Sequence, residues 1–315
     1  MTGGQMLEVA NVWKSYGRSY ALRDVSFNVS RGSKVLLLGP NGAGKSTMIK
    51  SILGLYRFKG TITVDGFDVS REGSKALERI GYVPQYSAFY EKLSVEDETR
   101  LIATIKGVSP AAAKEKLEMV GLGERVRRKS IHALSGGMRQ RFAIAMALLN
   151  DPPFLVFDEP LASIDLRGQV GFLEFVRRLA AGGATMLIAT HLTGLGDIAD
   201  RVIVLNRGRV VVVGTPGELM AKINADETLY IKPKDGAEGQ VTKLVEGEGS
   251  VKALDGSGGG KLLVVSVAPG SKLRLLKILF EDGNADLVED VSMDPSKIES
   301  SYNKLLEKTG KSEGP

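Results

Sequence analysis

The eight residues Gly39-Pro40-Asn41-Gly42-Ala43-Gly44-Lys45-Ser46 constrain this chain more than any other segment. They follow a short apolar run, Lys34–Leu38, and precede a helical pattern that starts near Lys45 and is stopped by Gly54. A strand, a glycine-rich turn ending in Lys-Ser and a helix make a cradle for phosphate. The glycines let successive N–H groups curl around phosphate oxygens, and the opening helix adds the positive end of its dipole. In such a loop Lys45 reaches the β- and γ-phosphates of a nucleotide. The Ser46 hydroxyl is a ligand for Mg²⁺, and Thr47 adds a phosphate hydrogen bond.

Two further segments carry chemistry. Phe154-Leu155-Val156-Phe157-Asp158-Glu159 reads as a buried strand tipped by two acids. Packing alone does not place adjacent carboxylates there, because unpaired buried charge costs several kcal/mol, on the order of 3–5 when a partner is missing. Alternation along a strand predicts that the two acids point to opposite sides. Asp158 is then assigned to the metal through water, and Glu159 to general-base activation of an attacking water. Leu134-Ser135-Gly136-Gly137-Met138 opens a helix that runs through Leu149, with Ser135 as its cap; taken alone this is an ordinary helix start with anion-binding capacity.

Around these motifs the sequence predicts two domains. Residues 1–225 alternate strands and helices from Pro153 to Val213, which points to a parallel sheet with crossover helices. Within them, residues 86–148 read as mostly helical, and Ser109-Pro110 is a helix start. Residues 226–315 predict strand, helix, strand, strand, helix, strand, the split βαβ or ferredoxin-like order, and a last helix from Pro295 to about Lys308. The fold class is therefore α/β, with a mixed sheet and a helical subdomain, plus a small C-terminal α+β domain.

The chain has 315 residues and no cysteine, which excludes disulfides and thiolate metal sites. No secretory pattern opens it, and no apolar run approaches the roughly 20 residues of a membrane span, so the chain is expected to be soluble. Its net charge of +5 divides unevenly: residues 226–315 hold 12 Lys and Arg against 16 Asp and Glu, which leaves the first 225 basic. A basic half suits an anionic partner, and suits a solvated surface equally well.

Taken together, the phosphate loop, the Leu-Ser-Gly-Gly cap and the acid-tipped strand resemble the nucleotide-binding subunits of ABC transporters, over roughly residues 5–220. Other segments match the family's pattern. Gln85, after Gly81-Tyr82-Val83-Pro84, matches the Q-loop, with a place at the metal. Asp165, in Leu161-Ala162-Ser163-Ile164-Asp165, matches the D-loop, with Ile164 where leucine is commoner and no proline after Asp165. His191 matches the switch histidine, and Tyr16 the aromatic that stacks on adenine. The resemblance implies a P-loop ATPase that uses ATP and Mg²⁺ and works as a dimer. Ser135, Gly136 and Gly137 of one subunit then close on the nucleotide held by the other, in a homodimer or with a paralogue.

A motor of this kind drives a separate membrane permease, from a peripheral position on the cytoplasmic face of the membrane. The helical segment has 48 residues between Gln85 and Leu134, which suits docking on such a partner and leaves no room for a long coiled coil. Tyr86, Phe89 and Tyr90 are expected to line the docking groove. The C-terminal element resembles that of exporter-type ATPases with separately encoded membrane subunits. An import motor shares every catalytic motif, and an ATPase acting on ribosomes or DNA is the remaining alternative, although no nucleic-acid partner is expected.

Overall fold

The most apolar runs of the sequence become the centre of a sheet. The computed structural model describes residues 4–161, 166–190, 195, 198–218, 227–255, 261–267, 272–281 and 284–293. The chain divides into two compact units, Met1–Thr215 and Pro216–Pro315.

In the first unit, β1 (Gln5–Tyr16), β2 (Ser19–Ser30), β4 (Lys59–Val64) and β5 (Phe67–Asp68) form an antiparallel sheet in the order β2-β1-β4-β5. A second sheet holds β3 (Lys34–Leu38), β6 (Ile80–Val83), β7 (Phe154–Asp158), β8 (Thr185–Thr190), β9 (Arg201–Asn206) and β10 (Arg209–Gly214). Its order is β10-β9-β3-β8-β7-β6, parallel except for the β9–β10 hairpin. Strands covered on both faces read as unbroken apolar runs rather than alternating ones. Accordingly Val35 to Leu38 of β3 and all five residues of β7 are buried. Residues of both sheets and of α1 (Lys45–Ile52), such as Leu7, Val29, Leu37, Met48, Ile62 and Phe154, share one core.

Between β6 and β7 the chain is helical: α3 (Val95–Ile105), α4 (Pro110–Met119), α5 (Glu124–Arg127) and α6 (Gly136–Ala147); α2 (Gly73–Glu78) precedes β6. Ser94 and Ser109 cap α3 and α4 by accepting from the N–H groups of Asp97 and Ala112. Three acids, Glu96, Asp97 and Glu98, sit in the first turn of α3, where the helix dipole favours them. Phe142 to Ala147 are all buried, so α6 is apolar on every side over its second half, as an interior helix must be. The ring of Phe89 packs 4.7 Å from that of Phe142, whereas Tyr86 and Tyr90 are exposed. The three aromatics expected to line one groove therefore separate: Phe89 is held by the packing of α6. After β7, α7 (Leu166–Ala181) returns the chain to β8.

The second unit comprises β11 (Glu227–Pro233), α8 (Glu238–Val245), β12 (Gly249–Asp255), β13 (Lys261–Val267), α9 (Lys272–Phe280) and β14 (Val288–Met293). Its sheet order is β12-β13-β11-β14 with every neighbour antiparallel, the pairing of a split βαβ. Leu229, Ile231, Val241, Val265 and Leu275 lie in its own core. The helix expected from Pro295 to Lys308 lies outside the described residues. Among the described residues no helix is long and apolar enough to cross a membrane.

Gly60 fixes the approach of β4 to β1. It has φ 97°, and a Cβ there would meet the Asn11 carbonyl oxygen at 2.3 Å and that of Ala10 at 2.6 Å. Gly60→Ala adds both a left-handed alanine and a backbone clash, and should destabilise the first unit by about 2–4 kcal/mol. Chemical denaturation of the variant beside the parent measures this; an unchanged midpoint would show that the β1–β4 ladder yields freely.

Candidate functional site

The glycine-rich loop leaves the carboxyl end of β3, at the centre of its sheet, and runs into α1. Gly44 stands at the N-cap of α1 with φ 109°, and a Cβ on it would meet the Ala21 carbonyl oxygen at 2.6 Å. Only glycine fits there. The loop is braced from behind by the β9–β10 turn: Gly208 N–H donates to the Ala43 carbonyl at 3.0 Å, and Arg23 N–H donates to the Gly208 carbonyl at 2.7 Å. In the sequence, residues 206–209 read only as a Gly-containing turn between two apolar runs. Nothing in the residue types announces its role as a brace, because the contact spans more than 160 residues.

Lys45 is 95 % buried, and its ammonium is held inside the loop. It donates to the Gly39 carbonyl at 2.5 Å and the Pro40 carbonyl at 3.3 Å, and it pairs with Glu159 Oε1 at 3.0 Å. The next residue, Ser46, donates its hydroxyl to Asp158 Oδ1 at 3.1 Å. Both acids at the tip of β7 thus converge on two consecutive residues of the loop. The expectation that they point to opposite sides is corrected here. The strand ends at Asp158, and Glu159 adopts φ 47°, which turns its side chain out of the strand's alternation. Its N–H still donates to the Ala189 carbonyl on β8 at 2.9 Å, which pins the turn.

Burial pushes the Asp158 carboxyl above the usual carboxylate range, and the neighbouring Glu159 acts in the same direction, against the Ser46 hydrogen bond and the charges of Lys50 and Lys45. On β6, burial and then the charge of Asp158 push the Tyr82 hydroxyl up to about 12.

A cavity of about 370 Å³ is lined by Pro40, Asn41, Gly42, Gly44, Lys45, Ser46, Thr47, Gln85 and Glu159, together with Ala21. Tyr16 stands near Thr47 of that lining, and its ring meets that of Tyr56 edge-on at 5.8 Å. Tyr56 carries no sequence signal of its own and becomes a neighbour of the loop only through folding. Ser135 caps α6 by accepting from Met138 N–H at 3.3 Å. Gly136 and Leu134 line a different cavity, also about 370 Å³, with Tyr86, Ser87, Arg139 and Gln140. Gln85 lines both. The cap residues Ser135, Gly136 and Gly137 are not among those lining the loop's own cavity. Asp165 and His191 lie outside the described residues. His132, three residues before the cap serine, is exposed beside Glu91 at 3.6 Å.

The family description "ABC transporter" matches residues 22–162. The linearmycin resistance ATP-binding protein LnrL of Bacillus subtilis is 35% identical over 232 residues, covering 72% of this chain and 74% of that protein. The chain belongs to the ABC transporter ATP-binding family. It is an ATP-binding, ATP-hydrolysing subunit of that family. The Nod factor export ATP-binding protein I of Cupriavidus pinatubonensis is 33% identical over 249 residues, covering 76% of each chain. Among solved structures, a dimeric ATP-binding cassette in a post-hydrolysis state bound to ADP and Pi superposes with TM-score 0.61 at 30% identity, over 67% of this chain and 99% of that one.

The raised pKa of Asp158 has a definite sign for stability. Its proton is held more tightly in the folded chain than in the unfolded one. The stability it contributes is therefore full at acid pH and is lost as pH rises through the folded-state pKa. Asp158→Asn keeps an acceptor for Ser46 and removes the buried charge. The variant should melt higher than the parent at pH 7 without nucleotide, with the difference vanishing as pH falls. Thermal scans across pH 4 to 8 test this, and a lower melting temperature at pH 7 would show that burial is not the dominant influence on Asp158.

Proposed function

We propose that this chain is the motor of an exporter, in which two copies enclose two Mg-ATP and drive a separate membrane permease from its cytoplasmic face. The observation that carries this reading is the pairing of Lys45 with Glu159 and of Ser46 with Asp158 across one phosphate-sized cavity. Lys45 and the loop amides from Gly39 to Thr47 bind the phosphates. Tyr16 offers its ring to adenine. The separate cavity beside Gly136 supports a role for Ser135, Gly136 and Gly137 in closing on a partner subunit's nucleotide rather than on their own. A dimeric relative with ADP and Pi is consistent with that arrangement.

The donors near the loop suit a hard divalent cation. Mg²⁺ favours oxygen ligands and is commonly held by one or two carboxylates together with substrate phosphates. Ser46, Asp158 and Gln85 would hold it, and when bound it neutralises charge on the phosphate oxygens. Glu159, released from Lys45, takes the proton of the attacking water, while Asp165 and His191 complete the site. The direction of transport is argued from the names of the relatives, one of which acts in Nod factor export. Tyr86 and Tyr90, exposed next to Gln85, are the aromatic anchors offered to the permease.

Glu159→Gln should bind ATP, hydrolyse it about 10²–10⁴-fold more slowly and accumulate as a dimer with Mg-ATP. Light scattering with and without Mg-ATP reads the outcome, and a variant that stays monomeric at high concentration would count against the sandwich. Ser135→Ala should slow turnover while leaving nucleotide affinity of the monomer unchanged. Captured from detergent-solubilised membranes with ATP, the Glu159→Gln protein should bring down a stoichiometric polytopic partner; recovery of soluble partners alone would remove the permease from the proposal.

A further inference from the structure

Beside the end of β1, on the antiparallel sheet, lies a cavity of about 590 Å³ that the ATPase reading does not use. Its volume falls in the range of small-molecule sites, roughly 300–1,000 Å³. Three aromatic residues, Trp13, Tyr20 and Phe58, line it together with three cations, Lys14, Arg57 and Lys59. No acid is among its lining residues, and it shares none of them with the cavity at the glycine-rich loop.

Two segments build it. Residues 13–23 contain Lys14, Arg18 and Arg23 without an acid, and residues 50–59 contain Lys50, Arg57 and Lys59, again without one. The β1–β4 ladder joins them by pairing Trp13 with Lys59 after a bulge that follows Ala10. Bulges re-aim side chains at sheet edges, and here the bulge presents Trp13 to the cavity. Lys14 then ties the second segment to the first, donating to the Arg57 carbonyl at 2.9 Å. Trp13 and Tyr20 meet edge-on at 5.7 Å. Tyr20 keeps 49% of its surface exposed.

Among the described residues neither Arg57 nor Lys59 has an acidic partner, in contrast to Arg31, Arg79 and Lys116, each of which pairs with an aspartate. Uncompensated cations around a concavity concentrate anions. Guanidinium and ammonium groups bind phosphate oxygens strongly, and aromatic surfaces accept planar rings. We propose that this cavity is a second small-molecule site, for a planar phosphorylated ligand of the nucleotide class, separate from the site of ATP hydrolysis.

Trp13 is the sole tryptophan of the chain, so its fluorescence reports on this cavity directly. The full-length protein is first saturated with Mg²⁺ and a non-hydrolysable ATP analogue, which fills the loop site. Guanosine monophosphate, guanosine and pyrophosphate are then titrated separately. The expected result is a saturable change with guanosine monophosphate at lower concentration than with either fragment. In the Arg57→Glu, Lys59→Glu double variant the affinity should fall by about tenfold or more, with ATPase activity unchanged. Both positions are exposed, so the fold is not at stake. A response seen only before the analogue is added would assign the ligand to the loop site and overturn the proposal. Equal affinity in the double variant would do so as well. A Trp13 response to phosphatidylglycerol vesicles with none to the nucleotide would replace the small-molecule site by a lipid-facing surface.

Discussion

The ammonium of Lys45 is the point on which the rest of the first unit converges. It lies buried between two loop carbonyls and one carboxylate, and the carbonyls and the carboxylate come from the ends of different strands. β3 supplies the loop, β7 supplies Glu159, and β8 lies between them. Neighbouring strands are about 4.8 Å apart, so the two contributing strands are separated by roughly 10 Å. The side chains of Lys45 and Glu159 together span that gap, and the Ser46–Asp158 hydrogen bond makes a second tie beside them. Leaving either member of a buried ion pair alone costs about 3–5 kcal/mol, which accounts for a carboxylate facing Lys45; Asp158 is met instead by the Ser46 hydroxyl.

The helical segment obeys a different logic. Its capped helices and the apolar second half of α6 make a packed body, yet polar atoms remain inside it: Ser87 Oγ, Gln140 Nε2 and Glu98 Oε2 are buried without a hydrogen-bond partner among the described residues. Ser87 and Gln140 line the cavity beside Gly136, and Gln85 lines both that cavity and the one at the glycine-rich loop. Burial of Glu98 raises its carboxyl above the ordinary range, with the Tyr90 N–H opposing. Unsatisfied groups of this kind are costly, at roughly 1–3 kcal/mol each, and they concentrate where the Gln85 segment meets α6.

Much of the architecture could be read in advance. β3 falls on the residues predicted, because the apolar run is bounded by Lys34 and gives way sharply to Gly39. Ser109-Pro110 and Ser135 mark helix starts through chemistry local to a few residues. What could not be read depended on partners distant in sequence. The turn of Glu159 toward the loop requires a left-handed backbone that strand periodicity does not signal. Tyr56 and Gly208 acquire their places by packing against β1 and the loop. Phe89 illustrates the same limit: three aromatics in five residues look alike in sequence, and only the position of Phe142 decides which one is taken into the interior.

The ion pair between Lys45 and Glu159 makes the loop a place of exchange. On the proposed reading, a phosphate reaching the lysine takes over from a carboxylate already bound to it, so nucleotide arrival exchanges one anionic partner of the ammonium for another. In the proposed mechanism the displaced carboxylate is released at the moment its proton affinity is needed. When product leaves, the same carboxylate can return to the lysine. The chain thus carries an internal competitor for its own ligand, one that links the availability of the base to the presence of something for it to act upon.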